Sequence, residues 1–246
     1  MDIQYSLFTF DLPMTERNIN AFRSAIIEWA GRENHLLHNH LNPPGNPHLP
    51  RGGFSYRYPL VQYRVHKGKA ALFALNQGTD TLKEALTKHN WEIVLSGKPT
   101  QLRLADLQNR QFTLAYTSHQ VNYHLQNWIA LNQQNYEHFT QKNTLIERIQ
   151  KLQQILAANI ISFAKGIGWQ IPERFEVAIQ QIHNQQQRNY HQTRMNAFDV
   201  QFSCPLALPP LVGLGKAVSH GFGVLSPVTT QKKRLVVKKL TVDPIL

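Results

Sequence analysis

The 246-residue chain carries 26 Lys and Arg against 15 Asp and Glu, a formal charge of +11, with 12 histidines besides. That excess points to an anionic partner without choosing among RNA, DNA and an acidic membrane surface, and the length suits either two small domains or one large one. A single cysteine, Cys204, excludes an intrachain disulfide and a cysteine-based zinc site within one chain.

The N-terminus shows no basic stretch followed by a long apolar run, and no window approaches the ~20 apolar residues of a membrane span. A cytoplasmic protein with no membrane partner is expected. Ile3 to Leu12 alternates enough apolar and polar positions to read as a strand that Pro13 closes. Thr15 is a candidate N-cap for a helix whose apolar stripe is Ile19, Phe22, Ile26, Trp29 and Ala30, stopped at Gly31. A polar, proline-rich stretch from Arg32 to Gly53 follows. Phe54 to His66 and Lys69 to Leu75 read as strands joined by a Lys67-Gly68 turn. Thr79 or Asp80 caps a second helix carrying Leu82, Ala85, Leu86 and His89, and Trp91 to Leu95 resumes a strand. The order is β-α-β-β-α-β, the split βαβ arrangement.

The second half is expected to repeat it. A strand is placed at Gln111 to Ser118, helical segments at Val121 to His138 and Thr144 to Phe163, strands near Phe175 to Ile182 and Ala197 to Phe202, and a last strand from Phe222. The helix from Thr144 carries Leu145, Ile146, Ile149, Leu152, Ile155, Leu156, Ile160 and Phe163, a broad face read as core. This gives an α+β protein of two tandem ferredoxin-like domains, residues 1–108 and 109–246. The polar run His183 to Arg194 is an extended hairpin tip or a flexible loop; its Arg188, Tyr190 and Arg194 suit RNA, and a solvated loop reads equally well.

Two segments can carry chemistry. Val212 to Val224 has the pattern G-x-G, five residues, G-x-G, with Gly213, Gly215, Gly221 and Gly223 flanking Lys216, Ser219 and His220. Glycine lets backbone N–H groups approach an anion while Lys216 neutralises charge. The spacing is neither the dinucleotide fingerprint nor the Walker loop, and a plain turn-rich connection is the competing reading. Further upstream, His35, His38, His40 and His48 fall in a loop beyond the first helix. Two imidazoles titrating near ~6.5 can divide the proton transfers of RNA cleavage. The same residues admit a metal site or ordinary loop histidines.

Five stretches together resemble a known family: Leu37 to His40, Tyr56 to Tyr63, Leu131 to Tyr136, Asn159 to Trp169 and the Gly213 to Gly223 loop. The chain is similar to the CRISPR-associated endoribonucleases that cut repeat RNA from its long precursor, within the RAMP superfamily, and in particular to the b-type branch of the sixth CRISPR-associated family. The resemblance implies two ferredoxin-like (RRM-like) domains and cleavage that needs neither metal nor cofactor and leaves a 2′,3′-cyclic phosphate and a 5′-hydroxyl. It implies acid and base roles for His38 and His40, with Tyr56 or Tyr58 assisting. It further implies RNA contacts from Gly213, Gly215, Lys216, Ser219, His220, Gly221 and Gly223. Precursor CRISPR repeat RNA is the implied partner, with a CRISPR effector complex and a homodimer as further ones. A non-catalytic RNA-binding RAMP subunit is the alternative on the same scaffold. Leu41 to Gly53 is longer and richer in proline than the family pattern, which leaves the choice of tyrosine open.

Overall fold

A computed structural model describes residues 1–31, 34–38, 58–88, 90–142, 144–190 and 193–228. Strand β1 (Asp2–Pro13) leads through a 3-10 turn into α1 (Ile19–Ala30) and a single helical turn, α2 (His35–His38). Strands β2 (Val61–His66) and β3 (Lys69–Leu75) form a hairpin whose Lys67 and Gly68 both take positive φ, 50° and 73°. Such a two-residue turn matches the twist of the strands it joins. Helix α3 (Gln77–Lys88) begins ahead of the expected caps, because the Asn76 carbonyl already accepts from the Thr79 N–H.

Next come β4 (Glu92–Leu95), β5 (Lys98–Gln101) and β6 (Leu104–Thr113). The strand expected at 91–95 is there, but it pairs only with β5 in a separate two-stranded ribbon; β6 completes the main sheet, ordered β2-β3-β1-β6 and antiparallel throughout. A division between residues 108 and 109 therefore falls inside β6.

The second half consists of β7 (Ala115–Trp128), α4 (Gln133–Thr140), α5 (Leu145–Gly166), β8 (Ala178–Tyr190), β9 (Thr193–Ala207) and β10 (Val224–Pro227), with sheet order β10-β7-β9-β8. Numbered within each half, both sheets run 4-1-3-2, the ferredoxin-like order. In the second unit the second crossover helix is replaced by the glycine-rich loop and one 3-10 turn. Two expectations are corrected here. Residues 121–128 are strand rather than helix, since Tyr123 and Leu125 alternate inward and pair with Phe202 and Val200 of β9. Leu145 and Ile146, read as core, are 70% and 69% exposed. They lie in the first turn of α5, which opens on a capping box from Thr144 and Glu147, and the helix's first buried residue is Leu152.

Parity explains how the halves meet. On β1 and β3 the even positions (Phe8, Phe10, Ala70, Leu72, Ala74) pack under α1 and α3. The odd positions (Ile3, Tyr5, Leu7, Ala71, Phe73, Leu75) join a core with Leu125, Trp128, Phe163, Val212 and Leu214 of the second unit. Strands β1 and β3 are thus buried on both faces, which is why Lys69 to Leu75 reads as a nearly unbroken apolar run.

Candidate functional site

Tyr63 of β2 is fully buried, edge-on to Phe22 of α1, with the Arg23 guanidinium 5.8 Å from its ring centre. Its hydroxyl donates to the Leu37 carbonyl at 3.2 Å, and burial raises its pKa. Leu37 is itself buried. Helix α2 is therefore pinned to the first core through the residue just before His38, its last residue. The His38 side chain, His40 and Tyr56 lie outside the described residues.

The glycine loop reaches the same place from the other unit. A Cβ on Gly221 (φ 81°) would sit 3.0 Å from both the Tyr63 carbonyl oxygen and Ile19 Cδ1. Only a residue without a side chain lets the loop lie this close on β2 and α1. The residue before Gly221, His220, is buried, and its Nδ1 lies in hydrogen-bond contact with Asn20 Oδ1 of α1 at 2.6 Å. One tyrosine thus touches the loop with its main chain and α2 with its hydroxyl, while α1 holds both through Asn20 and Phe22.

The loop's base is tied back by main-chain bonds: Leu214 N–H to Gly223 O at 2.8 Å, Lys216 N–H to Ile129 O at 3.0 Å, Gly223 N–H to Asn127 O at 3.0 Å. At Gly223 (φ 66°) a Cβ would fall 1.8 Å from the Leu214 carbonyl oxygen. These three N–H groups are spent on main-chain carbonyls and are not free to meet an anion. Lys216 is exposed, Ser219 half-buried, and Gly213 and Gly215 lie against the two units.

Tyr58 stands between the units. Its hydroxyl donates to Gly213 O at 2.7 Å and accepts from Gln62 Nε2 at 2.8 Å, its ring is edge-on to Phe163, and burial raises its pKa. Gln62 and Arg64, on the face of β2 turned to the second unit, were not singled out from sequence. Arg64 is buried with no carboxylate in contact among the described residues. Its Nη1 donates to Leu211 O and its Nη2 to Gln62 Oε1, each at 2.6 Å, and its guanidinium lies 4.6 Å from the Phe73 ring centre. Burial pulls its pKa down to about 10, so it stays charged at neutral pH.

Residues 183–190 and 193–194 form the outer part of the β8–β9 hairpin, the extended tip rather than a loop. Arg188 pairs across it with Met195, and Arg194 with Asn189. Opposite residues share a face and successive ones alternate, so Arg188 and Arg194 point to opposite sides of the ribbon. The basic tail Lys232 to Lys239 lies outside the described residues. Among the described residues no three His, Cys, Asp or Glu side chains gather as a metal site, and no helix is long and apolar enough to cross a membrane. A groove of about 1390 Å³ lies elsewhere on the second unit, between the end of α5 and the start of β7, beside Tyr116, Lys165 and Trp169.

Comparison with known proteins follows the same division. Residues 1–113 match the Cas6b N-terminal domain and residues 115–228 the Cas6b C-terminal domain. A crystal structure of Cas6b superposes with a TM-score of 0.81 at 22% identity, covering 93% of this chain and all of the other. A second, described as the CRISPR RNA processing endoribonuclease Cas6b, gives 0.70 at 20% identity with the same coverages. An RAMP protein binding different RNA substrates gives 0.52 at 12%, again over 93% of this chain and all of the other. At these identities the superpositions speak for the fold. No curated protein sequence matches.

Proposed function

Because the chain belongs to the Cas6b family, we propose that it is a metal-independent endoribonuclease that binds CRISPR repeat RNA and cuts the precursor within the repeat. The observation that carries this reading is the match of both halves to the two Cas6b domains. The convergence of α2 and the glycine loop on α1 and β2 supports the location of the site.

In this reading His38 and His40 divide the proton transfers. One takes the proton of the ribose 2′-hydroxyl, whose oxygen attacks the adjacent phosphorus. The other protonates the 5′-oxygen as its bond to phosphorus breaks. The products are a 2′,3′-cyclic phosphate and a 5′-hydroxyl, and no water is consumed. Tyr56 is the assisting tyrosine, since the Tyr58 hydroxyl is engaged with Gly213 and Gln62. Lys216 and Ser219 contact the RNA backbone, His220 holds the loop through Asn20, and Arg188 and Arg194 extend the RNA surface along the hairpin. Handing the product to an effector complex and pairing with a second copy belong to the same reading.

The test is incubation of the purified chain with its cognate repeat RNA in excess EDTA, with end-group mapping. Cleavage at one site, a cyclic phosphate end, and no cleavage of RNA carrying a single 2′-deoxyribose at that site are expected. Chelator-sensitive cleavage, or cutting of the deoxy substrate, overturns the mechanism. Tight binding with no cleavage moves the protein to the non-catalytic RAMP class.

A further inference from the structure

Asn127 sits at a break in the β7–β9 register, between Leu125 and Trp128, with φ 51°. Turned out of the strand in this way, it is held on every side. Its N–H donates to Asp199 Oδ1 at 2.7 Å, and its carbonyl accepts from Gly223 N–H at 3.0 Å. Its side-chain Oδ1 accepts from Gln186 Nε2 at 3.0 Å and Arg188 Nε at 3.3 Å. The remaining donor, Nδ2, faces Glu16 of the first unit: Oε1 accepts from it at 3.1 Å, and Oε2 lies 3.5 Å from Arg188 Nη2. One carboxylate thus receives an amide N–H and a guanidinium at the same time.

Those two donors are equally suited to the two non-bridging oxygens of a phosphodiester. The four other bonds of Asn127 fix its amide in place, so the donor keeps its direction when the carboxylate leaves. The side chains of Glu16 and Arg188 are 57% and 36% exposed, open enough for exchange. An ion pair so exposed contributes little to stability, so opening it costs little.

We propose that Asn127 and Arg188 form a phosphate clamp for the RNA backbone, and that the Glu16 carboxylate occupies it in the free protein until RNA displaces it. The clamp sits beside the loop's end at Gly223, so it extends the loop's RNA path onto the face of the hairpin that carries Arg188. Glu16 then acts as a threshold: a weakly held nucleic acid must compete with a tethered anion. This rests on the RNA-binding reading above.

The test is a mutant cycle with repeat RNA whose cut site is blocked by 2′-deoxyribose, measuring affinity for wild type, Glu16→Gln, Arg188→Gln, the double variant and a control, Glu92→Gln, on the β4–β5 ribbon. Glu16→Gln should tighten binding about two- to fivefold, the upper part of the scale of one exposed ion pair. Arg188→Gln should weaken it, the gain from Glu16→Gln should vanish in the Arg188→Gln background, and the control should change affinity less than about twofold. A gain that persists without Arg188, or matches the control, is general charge removal and overturns the clamp. Unchanged or weaker binding by Glu16→Gln overturns it too. If wild type binds no RNA, both the clamp and the functional reading fall; if it binds and only the cycle fails, the functional reading stands.

Discussion

The Tyr58 hydroxyl donates to the Gly213 carbonyl oxygen at 2.7 Å, joining residues 155 positions apart and tying the first unit to the first glycine of the loop. Gln62 donates to the same hydroxyl, and Phe163 packs edge-on to the ring. Burial raises the pKa of this phenol, so it keeps its proton. A hydroxyl that retains its proton and has given it to a main-chain carbonyl is a strut for the loop, not an acid or base.

Tyr58→Phe should therefore lower stability by about 1–2 kcal/mol, the cost of leaving a buried carbonyl without its donor. Single-turnover cleavage at saturating RNA should change by no more than a few-fold. Denaturant unfolding and quench-flow on the same preparation check both halves. A loss of about 10² or more in the chemical step with stability intact would assign Tyr58 to general acid–base chemistry.

Arg64 makes a harsher demand. Its planar fork reaches Leu211 O and Gln62 Oε1 while its face lies on Phe73. Lysine keeps the charge but has neither fork nor plane. Arg64→Lys should cost about 1.5–3 kcal/mol, the range for a hydrogen bond from a charged group, measured as a lowered denaturation midpoint. An unchanged midpoint would mean the fork is dispensable.

Cys204 is fully buried between β7 and β8, and burial pushes its thiol pKa up to about 11. At pH 8 only about 10⁻³ of it is thiolate, so the native protein should react slowly with a thiol reagent and the denatured one quickly. The folded pKa lies above the unfolded value of ~8.5. The thiol's contribution to stability is therefore complete below that value and is lost as pH rises toward 11. Rapid modification of native protein at pH 8 contradicts the burial.

Much of this was legible from residue pattern. The stripe from Ile19 to Ala30 and the Lys67-Gly68 turn both fall where periodicity and turn chemistry put them. What failed has physical reasons. Val121, Leu125 and Trp128 are spaced by four and three, which mimics a helix, whereas a register break in β7 produces that spacing in a strand. Asn184 to Tyr190 has polar residues on both faces, so no alternation betrays a strand that its partner β9 nonetheless pairs residue by residue. Trp91 to Leu95 reads correctly as strand, but periodicity does not say which sheet a strand joins. The glycines mark a close approach, yet only the packing shows that what they approach is β2, α1 and the loop itself. Asn127 and Asn20 carry no sequence signal, because one amide among many gains its role from what surrounds it.

Lys216 is the exposed cation of the loop, and in the proposed reading it neutralises one RNA phosphate. Each such contact on a single strand adds about 0.7 to the slope of log affinity against log salt. Lys216→Ala should lower that slope by about this amount and weaken binding at low salt more than at high salt. A parallel shift with the slope unchanged would mean that Lys216 touches no phosphate.

The histidine pair offers the sharpest test, because its two members are expected to fail together. Replacing either His38 or His40 with alanine should slow the chemical step by roughly 10² to 10⁴ and leave RNA affinity nearly intact. Affinity should survive because, in the proposed reading, Lys216 and the hairpin arginines rather than the imidazoles carry the phosphate contacts. The two losses should not add, since one histidine alone cannot both accept the 2′-hydroxyl proton and deliver one to the 5′-oxygen. The double variant should therefore fall only slightly below the worse single one. Single-turnover rates for the four proteins, with affinities measured on blocked RNA, decide it. Fully multiplicative losses would mean that the two residues act on separate steps, and an undiminished rate in either single variant would remove that histidine from the reaction.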